Sequence, residues 1–368
     1  MPPPSIDLTE PPAGHVLSSV AERIDAVLVD FLGRRTEELE GLDPALVPVA
    51  DSVTALVTAG GKRLRPAFVW WGYRAAMLAS DRLGADDEVL RPAAAVELLH
   101  TFALIHDDIM DRSPTRRGLP AVHTALAGHH RQSGLRGDPD WFGVGGAILA
   151  GDLVFVWADM LFEEGALDPV GKDRARHVFA HLRTEVMAGQ YLDLRLAGLR
   201  HATDEDSLRV SLLKSGRYTV TRPLQMGAAL GATDVALDEA LTTYGDAIGV
   251  AFQLRDDVLG LIGDPDATGK GALEDVREGK RTLLVLRAHI LGDEGQRKRL
   301  DDVLGDPTAT IEDVDDVRQI VAETGALIDV EQRVAALRAD AEQAIIGLPP
   351  LAHAALMELA ADAIDRTA

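Results

Sequence analysis

The stretch "LLHTFALIHDDIMDRSPTRRG", residues 98–118, closes an apolar run with Asp107, Asp108 and Asp111 and then brings in Arg116 and Arg117. In a helix, Asp107 and Asp111 share a face about 6 Å apart along the axis, with Asp108 turned about 100° away. Two carboxylates on one face repel each other, and a helix C-terminus is the end least hospitable to negative charge. A bound Mg²⁺ removes both penalties, because hard divalent cations take carboxylate and phosphate oxygens. Taken alone, the motif is weak: such a pattern more often marks a solvated acidic helix end.

A second cluster of the same kind follows. "YGDAIGVAFQLRDDVLGLIGDPDATGK" reads as an apolar helix ending in Asp256 and Asp257, again with a cation downstream. Two such sites suit helix ends that face each other across a cavity and clamp a diphosphate through shared metal ions. A third element, "GGKRLRP" at residues 60–66, packs Lys62, Arg63 and Arg65 into one short basic run. A basic helix start is disfavoured by the helix dipole. In so acidic a chain the run reads better as an anion site, with lysine as a point charge and arginine as a bidentate fork. His100 precedes Asp107 by two helical turns on the same face and can point into the same cavity. His106 is read as structural.

These residues need a scaffold, and the patterning predicts helices. Apolar residues recur at three- and four-residue spacing in "VLSSVAERIDAVLVDFL", "RPAAAVELLHTFALIHDD" and "VRQIVAETGALIDVEQRVAALRADAEQAII". No stretch alternates long enough for a confident strand. Aromatics are only 4 % of residues, so the core must be mostly Ala, Leu and Val, which favours helices. Breaks at Gly- and Pro-rich stretches leave segments for roughly ten or more helices, one of them over 92–111. No repeat and no linker divides the middle. We therefore read one all-α domain over residues 16–368, a single large helical bundle, behind a flexible tail at 1–15. The segments 129–141 and 263–280 read as Gly- and charge-rich loops.

Composition excludes several classes. Fifty-nine acids against 37 bases give a formal charge of −22, which repels nucleic acid and anionic membranes in bulk. An anionic ligand must then meet locally concentrated Lys and Arg. The chain has no cysteine, hence no disulfide, thiolate metal site or cysteine nucleophile, which is compatible with a reducing cytosol and a cytoplasmic setting. The most membrane-like segment, "GVGGAILAGDLVFVWADMLF" at 143–162, contains Asp152 and Asp159 and is read as a buried helix, not an integral membrane span.

Six motifs occur in the order used by a known family: "GGKRLRP", "HDDIMDRSPTRRG", "GQYLDL", "LLKSGRYT", "FQLRDDVLGLIGD" and "EGKRTLL". Across roughly residues 50 to 290 the chain resembles the trans-polyprenyl diphosphate synthases, head-to-tail isoprenyl transferases. The resemblance implies the isoprenoid-synthase fold, an all-helical bundle around a central active-site cavity. It implies Mg²⁺ as cofactor, about three ions per site, with Asp107, Asp111 and Asp256 as metal ligands and Asp108 and Asp257 as auxiliaries. Arg116, Lys214 and Lys270 resemble the cations that hold an allylic diphosphate. Lys62, Arg65, His100 and Arg117 resemble the isopentenyl diphosphate site. Gln190, Asp193, Ser215 and Gln253 would line the centre, with Lys214, Ser215, Gln253 and Lys270 closest to the chemistry and Lys280 as an auxiliary cation. A homodimer is the family expectation.

Two departures stand out. Gly260 occupies a position where the family often has a third aspartate, which weakens the second metal site, and Ser215 replaces the usual threonine but keeps its hydroxyl. A ring at Phe102 with the small Ala103 beside it resembles geranylgeranyl-type synthases and implies mainly a C20 product, with farnesyl or other chain lengths as alternatives. A class I terpene cyclase fits less well, because "DDVLGLIGD" matches the cyclase second motif only loosely and a cyclase does not need "GGKRLRP". A non-catalytic partner subunit would typically have lost some of these aspartates or basic residues.

Overall fold

The computed structural model describes residues 16–80, 82, 86–165, 167–199, 201–232, 234–263 and 272–366. The expected tail at 1–15, and Lys270, lie outside the described residues. The elements run α1 (Val16–Leu42), α2 (Val47–Thr58), α3 (Leu64–Ala79), α4 (Leu90–Met110), α5 (Val122–Gln132), α6 (Pro139–Glu163), α7 (Pro169–Ala197) and α8 (Asp204–Val210). A π-helical segment, Ser211–Thr221, leads into α9 (Arg222–Gly231) and α10 (Val235–Ile262). Then come α11 (Ala272–Glu278), α12 (Leu283–Leu291), α13 (Glu294–Val303), α14 (Ile311–Thr324), α15 (Ala326–Ala344) and α16 (Pro350–Ile364).

Local chemistry explains where the long helices start. Asp138 caps α6 and Asp168 caps α7, each followed by proline at the first helical position, where its missing N–H costs nothing. Asp234 caps α10 by accepting from Leu237 N. α4 has no side-chain cap; it continues directly from a 3₁₀ turn at Asp86–Val89. It sits at the centre, with Ala93, Ala94, Ala95, Leu98 and Leu99 buried, and packs against α3 and α6. The small side chains allow close helix contact, which is how an aromatic-poor chain fills a large core. One apolar cluster runs from Val16 in α1 to Ile364 at the end of α16.

The structure corrects four expectations. α4 spans 90–110, so Asp111 is its C-cap residue, its N–H bonded to Asp107 O. α10 does not end at Asp256 and Asp257: buried Val258 and Leu261 extend its apolar face to Ile262, and Gly263 caps it. A short antiparallel ribbon pairs Thr115–Arg116 with Leu119–Pro120, too brief for an alternation signal. The presumed loops are partly helical: α5 reaches Gln132 and α6 begins at Pro139 within 129–141, and α11 (Ala272–Glu278) lies within 263–280.

α6 departs from expectation in a different way. It is long and apolar enough to cross a membrane by length and composition. Gly143, Ala147, Ala150, Val154, Trp157 and Leu161 are buried against α4 and α5. The opposite face stays open, with Trp141 73 %, Leu149 69 % and Val156 52 % exposed. The helix is therefore buried on one side only.

Candidate active site

A cavity of about 890 Å³ opens between α4, α7, the π-helical segment and α10. Both acidic clusters reach it: Asp107 from the last turn of α4, and Asp256 and Asp257 from the last two turns of α10. Arg65, His100, Arg116, Arg117, Gln190, Asp193, Lys214, Ser215, Gln253 and Lys280 line it as well, with Phe102 and Ala103. Asp108, Asp111 and Lys62 are not part of its wall. Asp108 is fully buried, and Asp111 lies 3.9 Å from Lys280 Nζ.

Each acid of the first cluster is held by a cation. Asp107 accepts from Gln190 Nε2 at 2.9 Å and lies 3.5 Å from Lys214 Nζ and 3.4 Å from Arg116 Nη2. Arg116 also locks onto buried Asp108, its Nε donating at 2.8 Å. Lys214 Nζ donates to Asp193 at 2.6 Å. Burial disfavours the Lys214 ammonium, but Asp107 and Asp193 more than offset this, and its pKa is raised. Lys280 behaves alike: burial opposes its charge, yet Asp275 at 2.6 Å, Asp111 at 3.9 Å and Glu278 at 3.1 Å raise its pKa well above the ordinary lysine value.

The second cluster is less well compensated. Burial pushes Asp257 up to about 7, although Gln253 donates to it at 2.7 Å, and the nearby Asp256, Asp275 and Asp193 add to the rise. Asp256 is also raised by burial, against the pull of Arg366, Arg65 and Lys62. Such a site gains most from a bound cation. Among the described residues no three His, Asp or Glu groups converge on one point. The donor set, paired carboxylates around an open cavity, therefore fits a hard ion that takes its remaining ligands from phosphate and water oxygens.

The basic side is built by unusual backbone. Arg63 and Arg117 both adopt left-handed conformations, each with φ 53°. Arg63 turns away from the cavity: its guanidinium donates to Asp25 at 2.8 Å, to buried Glu97 at 2.6 Å and to Val57 O at 2.7 Å. Arg117 Nη1 donates to Gly60 O at 2.6 Å, which ties the glycine loop to the ribbon after α4. Arg65 lies over the Tyr218 ring at 4.5 Å, and Tyr218 Oη is 2.8 Å from His100 Nδ1. Lys62 is exposed at the edge; burial and then the Arg366 charge lower its pKa. Beyond Asp107 the cavity turns apolar. The Phe102 ring packs 4.7 Å from that of His106 and 5.0 Å from that of Phe155, so His106, expected to be structural, is also a wall residue.

Among the wall residues that sequence reasoning missed, Tyr218, Asp275 and Arg366 matter most for the site's charges and hydrogen bonds. Tyr218 sits in "LLKSGRYT" four positions after Lys214, a spacing that keeps both on one side of the π-helical segment. Asp275 follows the second cluster on α11. Arg366 comes from the C-terminus, with its Nη2 2.9 Å from Asp256 and its guanidinium 4.2 Å from the Phe252 ring. Arg255 brings that terminus in by donating to Ile364 O and to Glu331. No local signal marked Arg366.

Comparison with known proteins agrees with this geometry. The polyprenyl synthetase family profile matches residues 48–323. A geranylgeranyl diphosphate synthase of Methanosarcina mazei is 34 % identical over 307 residues, 82 % of this chain and 86 % of that protein. The crystal structure of geranylgeranyl pyrophosphate synthase from Corynebacterium glutamicum, complexed with isoprenyl diphosphate and magnesium, superposes with a TM-score of 0.90 at 35 % identity, covering 95 % of this chain and 99 % of that one. A polyprenyl synthase from Caulobacter crescentus, complexed with calcium and isoprenyl diphosphate, gives a TM-score of 0.79 at 30 % identity, covering 98 % of this chain and all of that one (100 %). The chain belongs to the polyprenyl synthetase family and is a prenyltransferase with the all-α isoprenoid-synthase fold.

Proposed function

We propose that this enzyme condenses isopentenyl diphosphate head-to-tail with an allylic diphosphate, giving mainly the C20 product geranylgeranyl diphosphate. The observation that carries the reading is that Asp107 and Asp256, from different helices, line one cavity together with Lys214, Lys280, Arg116, Arg65 and His100. Arg116, Lys214 and Lys280 hold the allylic diphosphate as its C–O bond breaks, balancing the negative charge that develops on the leaving group. Lys270 joins them by resemblance. Arg65, His100 and Arg117 bind isopentenyl diphosphate, with Lys62 at the rim. Asp107, Asp256 and, by resemblance, Asp111 would hold magnesium, which when bound would supply Lewis-acid neutralisation of the leaving diphosphate.

The apolar walls keep water from the allylic cation while the isopentenyl double bond attacks it. The Ser215 hydroxyl and Gln253 amide border this space and can steady positive charge. The proton lost at the end goes to the departing diphosphate, so no protein base is required. The growing chain runs from Asp107 down α4 toward Phe102, whose ring forms the floor. The exposed apolar face of α6 supports a homodimer, since a contiguous face of this kind is costly in water. Leu149→Asp should yield a monomer in size-exclusion chromatography with light scattering.

The test is incubation with isopentenyl diphosphate, each of the C5, C10 and C15 allylic starters and Mg²⁺, followed by chromatography of the dephosphorylated products. Chelation should abolish turnover. A cyclic hydrocarbon formed without isopentenyl diphosphate, or no uptake of that substrate, would overturn the reading.

A further inference from the structure

His100 and Tyr218 form a buried pair whose chemistry the proposed reaction leaves open. Tyr218 is only 4 % exposed, and among the described residues its hydroxyl bonds to His100 Nδ1 alone, at 2.8 Å. The ring edge carrying Nδ1 faces Tyr218. The opposite edge, with Nε2, is the one His100 can present to the cavity it lines. No hydrogen bond to Nε2 is formed among the described residues.

Two arrangements fit a 2.8 Å contact. If Nδ1 carries the proton, the tyrosine oxygen accepts, its own buried proton lacks a partner, and Nε2 turns a lone pair toward the cavity. If Tyr218 donates, its proton is satisfied and Nε2 carries the ring proton. The surroundings favour the second. Burial and the charges of Arg65, Arg117, Arg116 and Arg63 keep His100 neutral, so the ring has a single proton to place. Phosphate oxygens only accept, so a ring facing an anion must donate. Arg65, stacked on the same tyrosine at 4.5 Å, is positioned by the same side chain.

We propose that Tyr218 is a positioning residue: its hydroxyl donates to His100 Nδ1 and fixes the neutral tautomer whose Nε2–H donates to the diphosphate of isopentenyl diphosphate. This rests on His100 facing that substrate. Tyr218 comes from the π-helical segment that also carries Lys214 and Ser215, so one piece of backbone orients groups on both substrate sides.

The test uses the full-length enzyme, Tyr218→Phe, His100→Gln, His100→Ala and the double variant Tyr218→Phe/His100→Gln. Phenylalanine keeps the ring under Arg65 and removes only the hydroxyl. Glutamine places a fixed amide donor where Nε2–H would be. Multiple-bond ¹H–¹⁵N spectra of histidine-labelled protein, with the His100 signals identified by their loss in His100→Gln, should show the Nε2–H tautomer in the wild type and a mixture in Tyr218→Phe. The KM for isopentenyl diphosphate should rise about three- to tenfold in Tyr218→Phe, the range for one neutral hydrogen bond. The KM for the allylic substrate should not move, and the same change on the His100→Gln background should add nothing. An Nδ1–H wild type, or an equal KM rise on both backgrounds, overturns the proposal. If His100→Ala leaves the isopentenyl KM unchanged, the substrate assignment of His100 fails instead, whatever the spectra show.

Discussion

Gly189, the glycine of "GQYLDL", is expected to be indispensable for catalysis although it can touch no substrate. A Cβ built there lies 2.3 Å from Lys214 N, 2.6 Å from Lys214 Cα and 2.7 Å from Leu213 C, where ordinary contact is 3.4–4 Å. Gly189→Ala must therefore push α7 and the π-helical segment apart by about 1 Å. That gap falls on the contacts that order the site. The Lys214–Asp193 bond is 2.6 Å long, and Gln190, the next residue, holds Asp107 at 2.9 Å. A 1 Å misplacement of catalytic groups costs about 10²-fold in rate, and overpacking costs about 1–3 kcal/mol of stability. Steady-state kinetics with both substrates and urea denaturation measure the two effects. Gly33→Ala in α1 is the control: nothing lies within 4 Å of its Cβ, so it should leave kcat alone and stabilise by up to about 1 kcal/mol. A folded Gly189→Ala enzyme with kcat within about threefold of wild type would refute the argument that backbone contact sets the position of Lys214.

Phe102→Ala should lengthen the main product by about one isoprene unit, because Phe155, 5.0 Å away and not itself part of the wall, then becomes the floor; an unchanged product chromatogram rules Phe102 out as the stop. Glu97→Ala leaves buried Arg63 with half-exposed Asp25 as its remaining ion-pair partner and should destabilise the fold by about 2–3 kcal/mol in urea denaturation, toward the low end for a broken buried pair. Folding holds the His100 pKa well below the ordinary value of about 6.5. The unfolded chain then binds more protons below that pH, so this residue makes stability fall as pH drops through 6.5. The urea midpoint of the wild type should decline relative to His100→Gln between pH 7.5 and 5.5, and parallel curves would count against a buried neutral ring.

The parts legible in the sequence were those with short-range signals. Asp107, Gln190, Lys214 and Asp256 could be read because helical spacing and motif order are local properties, and the cavity brings all four together. The end of α10 could not. Asp256 and Asp257 look terminal, but whether Val258 and Leu261 continue the helix depends on what they pack against. Arg63 looked like a third phosphate cation within a basic run, whereas a left-handed backbone angle turns it inward onto Glu97. Arg366 was invisible for the opposite reason: its place beside Asp256 depends on α16 docking and on the Arg255 contact to Ile364 O, which no local pattern encodes. The open face of α6 was hidden because composition reports how apolar a helix is, not how much of it neighbours cover.

The paired charges explain how so acidic a chain can hold two anionic substrates. Lys214 rests on Asp193 and Asp107, Lys280 on Asp275 and Asp111, Arg116 on Asp108 and Asp107, and Arg366 on Asp256. Under the proposed function, substrate entry is an exchange of partners. The carboxylates pass from ammonium and guanidinium groups to divalent ions, and the freed cations pass to phosphate oxygens. Such an exchange would keep these paired charges compensated, which is the condition that makes buried charge tolerable. Asp257 is the member least served by this pairing, as its rise to about 7 shows, and Gly260 supplies no further acid beside it. The second cluster should therefore depend on bound metal more steeply than the first. Isothermal titration with Mg²⁺ and a non-reactive diphosphate should show Asp256→Asn losing more of the metal binding than Asp107→Asn, whose Lys214 and Arg116 stay paired with Asp193 and Asp108. Equal losses in both variants would mean that the two clusters act as one indivisible site.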